Sequence, residues 1–390
     1  MKVAFIPSNV SGVVFYRVWQ PALQMMKNKR DKVVVWWWKP DQFEMHPWEG
    51  ELSGPEIGPS IGRDINAACA WADVVVWMGL HQPASLNLFH QMRATYDKPF
   101  VTEMDDYIFS IPEANIASTV FRPGMGLTRI GLEQIKASDA LIVSTPYLAQ
   151  LYKPFNPQVH VVENAVDLAL WRTSKSSPGR QRVTIGWMGG GTHREDLALV
   201  KDAVFEVLDR YENASFTFLH ACPDFFKGHK RIKEIRGFKA IDKYPAWVAK
   251  AGFDIGIAPL VDNNFNRGKS NLRWLEYSAL GIPTVASPLP HFKESIREGE
   301  TGLLANSTQE WVNALGYLIE NEEARLRIGK QAQQEVKERW NPYLLGRKYR
   351  KTLEEITFNA RTYQVRPSIA DRGLNRRSEQ YAVVGNPKAE

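Results

Sequence analysis

Short apolar runs alternate with longer amphipathic stretches along the chain. The first run is KVAFIP (2–7). It is followed by VVVWWW (33–38), ADVVVWMG (72–79), KPFVTEMDD (98–106), DALIVST (139–145) and VHVVENAVD (159–167). Each is rich in branched and aromatic residues, as strands buried in a sheet are. Between them lie helical patterns such as FYRVWQPALQMM, with Pro21 in or near a break, INAACAW and Leu127–Ala137. The pattern then restarts after RTSKSSPGRQ (172–181). VTIGWMG (183–189), SFTFLHA (215–221), FDIGIAPL (253–260), IPTVA (282–286) and TGLLA (301–305) read as strands. Every crossover is long enough for parallel pairing. The expected architecture is α/β, with two doubly wound parallel-sheet domains.

The boundaries follow from the breaks in this pattern. Residues 1–168 form the first domain, 169–181 a linker and 182–340 the second domain. Residues 341–363, with PYLLGRKYRKTLEEITFNA, form a last helix packed across the domains, and 364–390 a loosely held basic tail. Two stretches read as irregular: the proline-rich insertion at 39–62, and a mobile loop around SIPEANIASTVFRPGMG.

Composition narrows the class. At 390 residues, 44% hydrophobic and 24% charged, the chain is that of a globular protein. It has no run of eighteen apolar residues, so no membrane span is expected. The start, MKVAFIPSNV, lacks a signal peptide's apolar region, and Cys69 and Cys222 form no metal or redox motif. A cytoplasmic setting fits both features. The net charge of +6 favours polyanionic partners: nucleotide diphosphates, nucleic acid or anionic lipid. Lys227, Lys230, Arg231, Lys233, Arg236, Lys239 and Lys243 crowd one segment. That segment reads either as a solvated helix face plus loop or as a contact for DNA phosphates.

The densest chemistry lies in RGKSNLRWLEYSALGIPTVAS (267–287). It predicts a basic loop, an amphipathic helix starting near Lys269 and Ser270, a stop at Gly281 and a buried strand. Free N–H groups at such a helix start attract anions, and Arg267, Lys269 and Arg273 add positive charge. Glu276 fits as an acceptor for sugar hydroxyls; an exposed basic helix with an ordinary Arg–Glu pair fits the local pattern as well. Gly189, Gly190 and Gly191, followed by Thr192 and His193, let a backbone approach a ligand and supply N–H groups. The turn is neither a spaced dinucleotide fingerprint nor a phosphate-binding loop of the GK[ST] type. A tight strand–helix turn explains it equally well. Asp105 and Asp106 end a strand; one of them is a candidate base or hydroxyl-binding group, and capping of the next segment is the alternative. His81 and His193 also end strands.

The IGWMGGGTH opening of the second domain, KSNLRWLEYSALGIPTVAS, EGETGLLA and the junction segment VENAVD together resemble GT-B glycosyltransferases of the retaining, glycogen-synthase-like group. SGVVFYRVWQPALQM and EMDDYIFSIP are similar to glycosyltransferases of tailed bacteriophages. The resemblance covers about residues 1–345 and implies two Rossmann-like domains facing a central cleft. It also implies hexosyl or pentosyl transfer from a nucleoside-diphosphate sugar, with UDP as the expected nucleotide and no cofactor or metal. It places the donor at Gly189, Gly190, Gly191, His193, Arg267, Lys269, Ser270, Arg273 and Glu276, with Glu276 on the ribose. Lys269 and Arg273 would neutralise the leaving diphosphate. Gly12, Tyr16 and Arg17 would line the acceptor side, and Asp106, with Asp105 beside it, would manage the acceptor proton. One feature departs from the family: of its two acids with seven residues between them, the first falls at Gly268. Three functions stay open. They are transfer to hydroxymethylated pyrimidines in DNA, transfer to a cell-surface glycan or lipid-linked sugar, and an inactive GT-B protein that binds nucleic acid.

Overall fold

The computed structural model describes residues 1–7, 12–36, 64–79, 83–115, 117–121, 126–171, 182–237, 239 and 243–362. Trp37, Trp38, the 39–62 insertion, His81, the 172–181 segment and the 364–390 tail lie outside the described residues.

The first sheet has six parallel strands: β1 (Lys2–Ile6), β2 (Lys32–Val35), β3 (Val74–Met78), β4 (Phe100–Met104), β5 (Ala140–Val143) and β6 (Val159–Val161), in the order β2-β1-β3-β4-β5-β6. The second comprises β7 (Val183–Gly189), β8 (Ala214–His220), β9 (Ile232–Ile235), β10 (Ile255–Ala258), β11 (Thr284–Ala286) and β12 (Leu303–Leu304), in the order β12-β11-β10-β7-β8-β9. Every residue of β3, β4 and β10 is buried, because helices cover both sheet faces. Strand order reverses between β1 and β3 and again between β7 and β10. The crevices for ligands open at the carboxyl ends of these strands.

β9 corrects the reading of the basic segment. Residues 232–235 form an edge strand paired from Phe216↔Ile232 to Leu219↔Ile235, where a helix face plus loop was one of the expectations. The I-K-E-I alternation sits among lysines and arginines and offers no apolar run. The loop expected around 110–126 holds a helical turn at Ser118–Phe121.

Near the N-terminus, the helical stretch Gly12–Met26 contains a widened turn at Phe15–Trp19, where the Gln20 N–H donates to Phe15 O. Pro21 follows, with no N–H to continue the usual ladder. The Leu272–Ala279 helix begins later than the sequence suggests, after a separate short helix at Asn264–Gly268. Its end matches the expected glycine stop. Gly281 sits at φ 70°, with Gly281 N–H donating to Ser278 O and Ile282 N–H to Tyr277 O. The helix lies close on the sheet at Gly256, where a Cβ would fall 2.6 Å from the Tyr277 ring.

The Pro342–Thr362 helix returns to the first domain. Tyr349 OH donates to Glu103 Oε2 at 3.0 Å, Arg350 Nε to Asp31 Oδ2 at 2.8 Å, and Lys348 pairs with Glu163. Among the described residues, no helix is long and apolar enough to cross a membrane.

Candidate functional site

The carboxyl ends of the two sheets face each other, and side chains from both meet there. On the second-domain side, Arg273 projects from the first turn of its helix over the Trp187 indole, 5.1 Å from the ring centroid. It also lies against Gly189, where a Cβ would sit 2.9 Å from both guanidinium Nη atoms. Its Nη1 is buried without a hydrogen-bond partner. An unpaired buried cationic donor is costly.

Gly190 and Gly191 extend this turn. A Cβ on either would meet nothing within 4 Å, and neither has a positive φ. Neither conformation nor packing among the described residues requires glycine here.

Lys269 follows the short helix and reaches across the cleft. Its Nζ is 3.2 Å from Asp106 Oδ1 and 4.3 Å from the Phe265 ring centroid. Ser270 is tied to the first domain instead, since its Oγ accepts from Asn164 Nδ2 at 2.8 Å. Arg267 stands apart from the other two cations: it is half-exposed and bound through Nε and Nη2 to Asp262.

Glu276 is buried, and its Oε1 accepts from Tyr16 OH at 2.9 Å. Burial raises its carboxyl to about 7, against the lowering effects of Tyr16 and Arg273. Gly268, at the place of the family's first acid, is committed to a domain contact. Its carbonyl accepts from Thr145 Oγ1 at 2.9 Å, and a Cβ would approach Leu148, Tyr107 and Leu151. A carboxylate there would enter an apolar interface.

His193 and Asp196 form a pair, Nδ1 to Oδ2 at 2.8 Å. Asp196 Oδ1 also accepts from Val261 N–H at 2.8 Å and Asn266 Nδ2 at 2.9 Å. This joins the β7 loop to the β10 loop across the switch point.

On the first-domain side, β4 ends at Met104, so Asp105 and Asp106 are free of the pleat and both line one cavity of about 220 Å³. Met78, Met104, Ile108, Ile111 and Phe121 supply apolar wall, and Thr192, Phe265 and Lys269 close it from the second domain. Burial, then Asp106 alongside, pushes Asp105 up to about 7, although Lys269 and Arg17 act against this.

Gly12, Tyr16 and Arg17 do not line this cavity. Gly12 faces open space, and Tyr16 is held by Glu276. Arg17 is buried, with Nε on Glu103 Oε1 at 2.7 Å and Nη1 on Val162 O and Asn164 Oδ1. Asp196 lay within reach of sequence reasoning, three residues after His193. Trp187, Thr145 and Asn266 carried no local signal. Among the described residues, no group of three or more His, Cys, Asp or Glu converges as a metal site.

Residues 207–343 match the family model described as glycosyl transferase-like. TuaH of Bacillus subtilis (strain 168), named for teichuronic acid biosynthesis as a glycosyltransferase, is 27% identical over 179 residues. These make up 41% of this chain and 43% of that protein's length. HepE of Anabaena, solved in complex with UDP and glucose, superposes with a TM-score of 0.63 at 14% identity, over 91% of this chain and 100% of that one. Sucrose-phosphate synthase from Thermosynechococcus elongatus gives 0.60 at 12% identity, over 91% and 98%. The two parallel six-stranded sheets are those of the GT-B fold.

Proposed function

We propose that the protein transfers a sugar from a UDP-sugar to a hydroxyl of a saccharide acceptor, such as a cell-surface glycan or its lipid-linked precursor. The observation that carries the reading is the Arg273 guanidinium, buried and unpartnered at Nη1, packed against Gly189 at the head of a turn whose next two glycines, Gly190 and Gly191, have open space around them. A diphosphate placed there receives Arg273, the backbone of Gly190 and Gly191, and Lys269. These donors are fixed in advance where negative charge builds as the glycosidic carbon–oxygen bond breaks. Glu276, with Tyr16, holds the ribose. The sugar then points toward Asp105 and Asp106, and Asp106 takes the acceptor proton.

The acceptor cavity supports a neutral polyol. Its polar lining includes Glu103, Asp105 and Asp106, and the one cation among its described lining residues, Lys269, is paired with Asp106. Carboxylates bond sugar hydroxyls well and repel phosphates, and the apolar wall suits the C–H face of a sugar ring. The UDP complex of HepE and the name of TuaH point the same way. DNA as acceptor has weaker support. Lys227 is paired with Asp224, Arg236 with Glu234, and Arg231 donates to the carbonyls of Tyr211 and Ala214.

The test is a panel of UDP-hexoses and UDP-pentoses against saccharide acceptors and hydroxymethylated DNA. Transfer to a saccharide, lost in Arg273→Ala, supports the reading. Transfer to DNA alone restores the nucleic-acid acceptor. Donor that is neither bound nor hydrolysed indicates an inactive protein.

A further inference from the structure

The His193–Asp196 pair is more elaborate than a nucleotide contact needs. Asp196 is buried and its two oxygens accept three hydrogen bonds, from His193, Val261 and Asn266. A carboxylate accepts only, so His193 Nδ1 carries the proton and Nε2 is the free nitrogen. The ring packs edge-on to Trp187, with centroids 5.9 Å apart, and that indole also carries Arg273. His193 further lines a small cavity with Thr192, Glu195, Asn266 and Lys269. Thus one aromatic ring spaces an imidazole and an unpartnered guanidinium beside the same glycine turn.

We propose that His193, oriented by Asp196, takes up a proton from solvent when the donor diphosphate binds, and that the resulting Nε2–H donates to a phosphate oxygen also faced by Arg273 and Lys269. This rests on the donor-site reading above and adds a protonation step to it. The surroundings of the imidazole favour its neutral form. Burial lowers its pKa, the Asp196 hydrogen bond raises it, and Arg273 and Lys269 lower it, for a net value below the ordinary range. A diphosphate cancels the two cations and reverses the balance. Asp196 stays ionised throughout: burial would raise it, but the bonds from His193 and Val261 bring it below the usual carboxyl range. The proton stays on His193 Nε2 while the nucleotide is bound, and departure of the nucleotide returns it to solvent.

The charges around the ring are Asp196, Glu195, Lys269 and Arg273, with Asp106 behind Lys269. Burial pushes Glu103, Asp105 and Glu276 up to about 7, so proton uptake by the wild type alone does not identify the group. The experiment is calorimetry of UDP binding at pH 7.5 in non-phosphate buffers of different ionisation enthalpy, on wild type and His193→Gln. The dependence of heat on buffer gives the protons taken up. The wild type is expected to exceed the variant by about half a proton at pH 7.5, the uptake that a tenfold gain at pH 6.5 implies by linkage. The variant should bind UDP about tenfold more weakly at pH 6.5, as loss of a charge-assisted bond requires, with the gap closing by pH 8.5. Asp196→Asn, checked for folding by circular dichroism, should also reduce the uptake. Equal uptake in wild type and His193→Gln overturns the inference while leaving UDP binding intact. No UDP binding by the wild type overturns the donor site itself.

Discussion

Asp106 and Lys269 stand 3.2 Å apart although 163 residues separate them, one on each domain. Both are partly exposed, 38% and 21% at the side chain, so the pair itself contributes at most about 1 kcal/mol. A contact this weak is readily exchanged. On the proposed reading a diphosphate competes for Lys269, and its arrival leaves Asp106 free for the acceptor hydroxyl. Asp106→Asn is therefore expected to keep UDP affinity within about twofold, equivalent to less than 1 kcal/mol, while lowering transfer at least a hundredfold. Steady-state kinetics with separate binding titration checks this. A large loss of UDP affinity would move Asp106 out of the acceptor role.

Arg273 offers the cleanest separation of binding from stability. Its Nη1 has no partner to lose, so Arg273→Ala should leave the melting temperature within a few degrees of wild type. UDP affinity should fall by about 1.5–3 kcal/mol, the range for hydrogen bonds to charged groups. Calorimetry with thermal denaturation reads both. A variant that unfolds but binds normally per folded molecule would show Arg273 to be a packing residue.

Gly190→Ala is expected to be neutral or slightly stabilising, by about 0.4–1 kcal/mol, because the backbone is compatible with alanine and its Cβ meets open space. On the proposed reading the same methyl group enters the path of the phosphates, so donor KM should rise. Unchanged KM would remove the glycine turn from the site.

Glu103, Asp105 and Glu276 are each pushed up to about 7, first of all by burial. Their unfolded values lie at about 4.5 or below, so across that window the unfolded chain releases protons the folded protein keeps. Stability should be fully present below about pH 4.5 as far as these groups are concerned, and should fall as pH rises toward 7. Glu276→Gln keeps the acceptor for Tyr16 and removes one titration. Its melting temperature should match or exceed wild type at pH 7.5 and vary less between pH 5 and 8. Unchanged pH dependence in the variant would show that Glu276 is ionised in the folded protein across this range.

The exposed basic residues allow a test of the nucleic-acid alternative. Reversing Lys230, Lys233, Lys239 and Lys243 is expected to leave saccharide transfer unchanged, since none of them lines the cleft cavities. If duplex DNA were the acceptor, binding would fall with salt at a log–log slope of about −0.9 per phosphate, and the reversal would flatten it.

Much of the fold was legible because buried parallel strands are continuous apolar runs. The strands before and after the basic segment could be read directly, and so could the glycine stop at Gly281. β9 could not, since an edge strand of alternating isoleucines and charges loses its signal among lysines. Local chemistry gave the Gly189–His193 turn and the Lys269–Glu276 stretch. It did not show that Arg267 turns away to Asp262, nor that Tyr16 meets Glu276 across 260 residues of sequence. The Tyr16–Glu276 pairing arises only when the two domains close on each other. The first-acid position shows the same limit: Gly268 looked like a missing catalytic group, and its neighbours Thr145 and Leu148 reveal an interdomain seat.

The most direct measurement is transfer itself. Purified protein is incubated with UDP-sugars and saccharide acceptors, with released UDP and product mass followed together, for wild type and Arg273→Ala. The account predicts stoichiometric UDP and a product heavier by one sugar residue with at least one donor, and loss of both in the variant. UDP release and transfer that persist at wild-type rates in Arg273→Ala, or a folded wild type that neither binds nor cleaves any UDP-sugar, would contradict it.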